Sequence, residues 1–301
     1  MRRWRIRAAL LAVLLGAASG AGAFEEPWAF AKWKPVGDGP VFAGTGEATW
    51  DHRIRERGFI LPEDGRYTLW YSGYDRDRPL TMSLGRAVSD DGATWRRDDR
   101  NPVFRDAWTE DVFVVRDGEG YLMFAEGRGD IPHRLTSADG VDWIDHGSLD
   151  VRKVDGSPIE PGSFGTPTAW LEDGVWHLFY ERGDMGVWLA TSRDMKVWTN
   201  VRDEPVLARG PEPFDRAQVA LNQVVRRDGW YYAFYHALAD VAVRDWTTNL
   251  ARSRDLVHWE KYPGNPIIGD NRSSAILVPT PQGDRLYTMH PDVRLFEPAE
   301  E

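Results

Sequence analysis

The chain has 301 residues, enough for one large domain or two small ones, and it contains no cysteine, which excludes disulfides, thiolate metal sites and a cysteine nucleophile. With 47 acidic against 37 basic residues its formal charge is −10, so the basic surface of a nucleic-acid binder is missing. Fifteen Trp, 29 Gly and 19 Pro favour strands and tight turns over long helices.

The first 23 residues stand apart from the rest. Arg2, Arg3, Arg5 and Arg7 precede a small apolar run from Ala8 to Ala18 and an Ala21-Gly22-Ala23 cleavage pattern, which reads as a signal peptide. The run falls short of the roughly 20 apolar residues of a membrane span. The expectation is an exported protein, periplasmic or extracellular, with no stable membrane insertion after cleavage and a single domain over residues 24–301. Without the four arginines its charge is about −14 by the same count.

Downstream, one pattern recurs. PEDGRYTLWYSG, VRDGEGYLMFAEG, LEDGVWHLFYERG, RRDGWYYAFYHA and PQGDRLYTMH each place a turn before alternating aromatic and aliphatic residues. Their glycines, Gly65, Gly118, Gly174, Gly229 and Gly283, lie 53, 56, 55 and 54 residues apart. An Asp-Gly pair between alternating runs marks a tight hairpin, because glycine accepts the positive φ such turns demand. A second signature, S-x-D-x-x-x-W, follows the first four hairpins at Ser89/Asp91/Trp95, Ser137/Asp139/Trp143, Ser192/Asp194/Trp198 and Ser253/Asp255/Trp259. Its Ser and Asp suit a turn that caps backbone donors, and its Trp suits packing between repeats. Proline follows three of these tryptophans at Pro102, Pro205 and Pro266, and an orphan Trp33/Pro40 fragment near the N-terminus keeps the same spacing.

Five four-stranded repeats plus a displaced fragment predict an all-β, five-bladed β-propeller closed by its N-terminal strand. The blades should run over Thr49–Phe104, Arg105–Asp150, Val151–Leu207, Phe214–Ile268, and Asn271–Phe296 joined to Trp28–Phe42. Sites on propellers lie at the channel mouth, where inner strands begin. Blade one brings Asp51, Arg55, Glu56 and Arg57 there, blade two Glu110 and Asp111, blade four Asn222, and blade five Arg272. Glu126, Glu181 and His236 stand at the ends of second strands. Carboxylates in a cleft can run acid–base chemistry, and neighbouring arginines tune them or bind oxygen-rich groups.

These motifs resemble the glycoside hydrolase superfamily of five-bladed propellers that contains families 32, 43, 62, 68, 117 and 130, with most similarity to family 43-like or 117-like glycosidases. The resemblance implies an O-glycosyl hydrolase acting on an oligosaccharide or polysaccharide, with a phosphorylase-like relative or a non-catalytic carbohydrate-binding propeller as alternatives. It further implies Asp51 as base or nucleophile and Asp111 as the acid that tunes pKa or fixes the ring. Members typically carry Glu-Gly-Pro at the blade-three inner strand, whereas this chain has Phe164-Gly165-Thr166-Pro167. The proton donor is therefore expected at Glu181 or His236, with Arg55, Glu56, Arg57, Glu110, Glu126, Asn222, His236 and Arg272 around the substrate. No required cofactor and no spaced metal motif is read, although a calcium or sodium ion in the channel stays open. A monomer is expected.

Overall fold

In a computed structural model of the chain, residues 27–75 and 81–300 are described; the expected signal peptide lies outside them. Strand β1 (Trp33–Pro35) comes first. Blade one is β2 (Arg53–Glu63), β3 (Arg66–Tyr74), β4 (Met82–Ser89) and β5 (Arg96–Arg97). Blade two is β6 (Glu110–Asp117), β7 (Gly120–Gly127), β8 (Ile131–Ser137) and β9 (Trp143–Ser148). Blade three gathers β10 (Asp150–Arg152), β11 (Thr168–Glu172), β12 (Val175–Glu181), β13 (Gly186–Ser192), β14 (Val197–Asn200) and β15 (Leu207–Ala208). Blade four is β16 (Gln218–Arg227), β17 (Trp230–Leu238), β18 (Thr247–Ser253) and β19 (Trp259–Lys261). Blade five holds β20 (Ile276–Thr280), β21 (Gly283–Thr288) and β22 (Arg294–Pro298), and β1 completes it by pairing antiparallel with β22, Trp33 opposite Pro298. The propeller therefore has the five blades and the N-terminal closure expected from the repeat.

Local chemistry explains the elements. Asp64-Gly65, Asp173-Gly174 and Asp228-Gly229 all take positive φ at both turn positions, the geometry whose twist matches the flanking strands. In each S-x-D motif the hydroxyl and the carboxylate cap the turn. Ser89 Oγ accepts from Gly92 N (2.8 Å) and Asp91 Oδ1 from Ala93 N (2.8 Å), and Ser137/Asp139 repeats the pattern. The motif tryptophans then bind one blade to its predecessor. Trp143 meets Trp70 edge-on at 6.2 Å, Trp198 meets Phe124 at 5.8 Å, and Trp259 meets Phe179 at 6.1 Å. Each pair contributes about 0.5–1.5 kcal/mol beyond its buried area.

One irregularity positions the site. The inner strands kink where they enter the channel, with register shifts after Arg55, Glu110 and Leu221. Glu56 and Asp111 take left-handed φ of 53° and 47° in the first two shifts, Asn222 sits in the blade-four shift, and Thr166 and Ser274 take left-handed φ of 46° and 56° two residues before the inner strands of blades three and five. The five positions are 55, 55, 56 and 52 residues apart, one polar side chain per blade. A bulge re-aims its side chain out of the alternation of the strand, and a left-handed residue just ahead of a strand does the same, so one polar group per blade is set apart where the inner strand begins.

Candidate active site

Beneath these groups, Arg57 closes the channel. It is fully buried, and its guanidinium donates to Val112 O (3.2 Å), Pro167 O (2.6 Å), Asn222 O (2.9 Å), Thr168 Oγ1 (2.5 Å) and Asp111 O. One side chain from blade one thus satisfies acceptors of blades two, three and four. Burial pushes its pKa down to about 10, with Asp111 and Glu126 pulling the other way, so it stays charged at neutral pH. The expectation that Arg57 contacts substrate is corrected: every direction of its fork is taken up by the protein.

Above this plug lies a chamber of about 180 Å³ walled by Arg55, Glu56, Glu110, Asp111, Glu126, Asp130, Thr166, Glu181, Gly183, Asp184, His236 and Trp246. Seven of these twelve residues are acidic. The chamber opens into a vestibule of about 1010 Å³ whose wall shares Arg55, Glu56 and Trp246. Glu126 and His236 reach the chamber because an antiparallel second strand ends where the inner strand begins: Glu126 lies opposite Glu110, and His236 opposite Ala220.

The missing blade-three acid has a steric explanation. Glu126 Oε2 accepts from Thr166 N (2.7 Å) and Glu181 Oε1 from Gly165 N (2.8 Å). A Cβ on Gly165 would lie 2.1 Å from Glu126 Oε2 and 2.8 Å from Glu181 Oε1. Carboxylates arriving from two neighbouring strand ends therefore fill the place where a side chain at position 165 would stand. The other oxygen of Glu181 accepts from Asp184 N, which fastens the turn carrying Asp184.

The carboxyls differ in charge state. Burial pushes Asp111 and Glu126 well above the ordinary carboxylate range, and Glu110 and Glu181 upward, with neighbouring acids adding to the effect. Burial together with Glu181, Glu56 and Asp130 pushes Asp184 up to about 7, and its Oδ2 accepts from Gln218 Nε2 (2.9 Å). Glu56 goes the other way. Burial would raise it, but His290 and Arg55 together hold it below the usual range; Arg55 Nε donates to Oε1 at 2.7 Å and His290 Nδ1 lies 3.7 Å from Oε2. His236 is pushed down to about 4 by burial; it accepts at Nδ1 from Asn222 Nδ2 (3.0 Å) and rests edge-on against Trp246 at 5.0 Å. That hydrogen bond leaves its proton on Nε2. Glu110, Glu126 and Asp130 each bring an oxygen within 4.8 Å of the others, hard donors of the kind calcium takes, while the upward shifts of Glu110 and Glu126 equally fit shared protons.

Three expectations fail on position. Asp51 does not line the chamber: it is buried in blade one, accepting from Arg97 Nε (2.7 Å), Tyr71 OH (3.0 Å) and Thr49 Oγ1 (2.9 Å). Blade four repeats the arrangement with Asp215, which accepts from Lys261 Nζ (2.5 Å) and Tyr235 OH (3.4 Å), while Asn101 and Asn265 approach the two tyrosine hydroxyls at 3.3 Å each. A contact built twice in the repeat is a blade fastener. Asn222 has no exposed surface and acts by orienting His236. Arg272 pairs with Asp292 (3.3 Å) and lies outside the chamber wall. By contrast Arg55, Glu56, Glu110, Asp111, Glu126, Glu181 and His236 do converge on one chamber. Sequence reasoning missed Asp130, Asp184, Trp246 and His290. The first two were signalled by a paired motif, FAEGRGD and FYERGD, in which a strand-end Glu precedes an Arg-Gly-Asp turn.

No family model and no curated protein sequence matches the chain. Solved structures do. A glycosyl hydrolase from Bacteroides ovatus is 17% identical with a TM-score of 0.73, over 91% of this chain and 96% of that one. A structure from the GH130 family of mannoside phosphorylases, which contains glycoside hydrolases that target β-1,2-mannosidic linkages in Candida mannan, is 17% identical with a TM-score of 0.71, over 90% and 96%. A β-1,2-mannobiose phosphorylase from Listeria innocua is 12% identical with a TM-score of 0.65, over 88% and 95%. At these identities the likeness establishes a common five-bladed fold, one that carries carbohydrate-active enzymes of both the hydrolase and the phosphorylase type.

Proposed function

We propose that this chain is a glycoside hydrolase whose chemistry runs between Glu56 and Asp184. The observation that carries the reading is a pair of carboxyls in one chamber driven apart in charge state: Glu56 lies below the usual range with Arg55 hydrogen-bonded to it, and Asp184 is raised to about 7. Pairs of titratable groups separated by their surroundings are the mark of acid–base assignments. Asp184 protonates the leaving glycosidic oxygen, and Glu56 acts on the opposite side as base toward water or as nucleophile. The net change is the addition of water across the bond, the proton going to the leaving oxygen and the hydroxyl to the anomeric carbon. Glu181, expected as proton donor, instead holds the Asp184 turn with both oxygens engaged. His236, through its Nε2 proton, offers a donor to a sugar hydroxyl, and Trp246 beside it an apolar face for a ring.

Hydrolysis is preferred to phosphorolysis on charge. A phosphate dianion needs uncommitted cations beside the anomeric carbon, but Arg55 is engaged by Glu56 and Arg57 by backbone carbonyls. The chamber is small beside the roughly 300–1,000 Å³ of common ligand pockets, which suits a single sugar ring with the remaining chain in the vestibule. The N-terminal Arg-rich and apolar pattern supports action outside the cytoplasm, in the periplasm or beyond. The test is a screen of oligosaccharides with and without inorganic phosphate. Free reducing sugar independent of phosphate is expected; sugar 1-phosphate formed only with phosphate present would establish the phosphorylase instead, and binding without turnover a carbohydrate-binding propeller.

A further inference from the structure

The vestibule differs in charge from the chamber it feeds. Its wall includes Arg53 and Arg244, both exposed, and among the described residues neither has a carboxylate within ion-pair distance. The acids of that wall are already neutralised. Asp292 is paired with Arg294 (3.0 Å) and Arg272 (3.3 Å), and Glu56 with Arg55 (2.7 Å). Asn271 adds an amide whose Oδ1 accepts from Trp246 N (3.2 Å), which leaves its Nδ2 donor for a ligand. A cationic mouth therefore sits directly outside an acid-rich chamber, on a chain whose net charge is −10.

Resting on the reading of the chamber as a glycosidase site, we infer that the vestibule selects glycans bearing a carboxylate or sulfate group next to the sugar held in the chamber. The two arginines line the same vestibule, Arg53 from blade one and Arg244 from the loop between β17 and β18, and a guanidinium holds such an anion by charge-assisted, bidentate hydrogen bonds. The chamber offers a uronate or sulfate no such partner, because Arg55 is engaged by Glu56 and Arg57 by backbone carbonyls. The charged substituent is thus placed on the neighbouring unit and the cleaved unit is left neutral. A phosphate co-substrate does not account for these arginines, because they line the mouth and not the chamber where the anomeric carbon would lie.

The test is binding of the purified chain to an array of neutral, carboxylated and sulfated oligosaccharides at low and high salt. The expected result is capture of anionic glycans, weakened by salt. In the Arg53→Gln/Arg244→Gln variant that capture falls by about tenfold or more, the scale of one lost hydrogen bond to a charged group. Both side chains are exposed, and an unchanged melting temperature verifies the fold. Carboxylated against sulfated members tells which anion is used. Capture of neutral glycans only, of none, or unchanged anionic binding by the double variant overturns the inference. Anionic glycans that bind but are never cleaved would sink the hydrolase reading and leave this one standing, whereas cleavage confined to neutral glycans would do the reverse.

Discussion

Replacing Arg57 by Met asks how much of the propeller hangs on one side chain. Methionine fills a similar length of channel, so the change removes hydrogen bonds and charge with little change in packing. The single Thr168 hydroxyl proton would still serve the neighbouring carbonyls of Leu221 and Asn222 (3.2 and 3.1 Å), one at a time or shared between them, but the carbonyls of Asp111, Val112 and Pro167 would lose the guanidinium. A buried polar group left unsatisfied costs about 1–3 kcal/mol, so three such groups with partial relaxation give a loss of roughly 4 kcal/mol. For a domain of this size that corresponds to a fall in Tm of roughly 7 °C. The loss of the charge should also push Asp111 and Glu126 further up, since Arg57 is the cation that opposes their burial. Urea unfolding of both proteins at neutral pH measures the first effect. A loss below about 1 kcal/mol would refute the account of Arg57 as the tie between blades, because it would mean that the three carbonyls find other donors at no cost.

Other outcomes follow from the same geometry. Gly165→Ala puts a Cβ 2.1 Å from Glu126 Oε2, so it should displace Glu126 and Glu181, cost about 1–3 kcal/mol and impair turnover; a variant with wild-type kcat and Tm would contradict the steric account. Asp184→Asn should remove the alkaline limb, near pH 7, of the pH–rate profile along with about 10²–10⁴-fold in kcat, and persistence of that limb would move the proton donor elsewhere. Stability should fall as pH rises through neutrality. The folded pKa values of Asp111, Glu126 and Asp184 are raised, so the folded state keeps protons that the unfolded chain has lost above about pH 4, and each contribution disappears as pH passes the folded value. His236, lowered to about 4, acts oppositely, its contribution fading below the unfolded value of about 6.5. Scanning calorimetry should therefore give a higher Tm near pH 5.5 than near pH 8 if the carboxyls dominate, and the reverse order would show that they do not.

The fold was legible because a repeat writes its period into the chain. Asp-Gly turns and the S-x-D-x-x-x-W cap are local chemistry, readable without knowing what they pack against, and Trp143, Trp198 and Trp259 do join neighbouring blades. The site was legible only in part. Position along the chain pointed to the inner strand starts, which brought Glu56, Glu110 and Asp111 into consideration, but it could not tell Asp51 from Glu56. That distinction depends on a bulge that turns Glu56 to the axis and on Arg97, 46 residues away, which takes Asp51 into the blade. A comparison between blades would have helped, since Asp51, Tyr71, Arg97 and Asn101 recur at the same spacing as Asp215, Tyr235, Lys261 and Asn265. Asp184 and His290 were harder, because each enters the wall from a turn whose path is set by tertiary contacts: Glu181 fastens the one, and pairing of Ser273 with His290 places the other.

The most direct test of the central claim compares two neighbouring carboxylates in one assay. Once a hydrolysed glycan is found, Glu56→Gln should lower kcat by about 10²–10⁴-fold with the fold intact, the usual weight of a group engaged in acid–base chemistry. Asp51→Asn, which loses the charge paired with Arg97, should keep kcat and lower Tm instead. A Glu56→Gln enzyme that turns over normally beside an inactive but stable Asp51→Asn enzyme would place the chemistry in blade one's buried carboxylate and contradict the account.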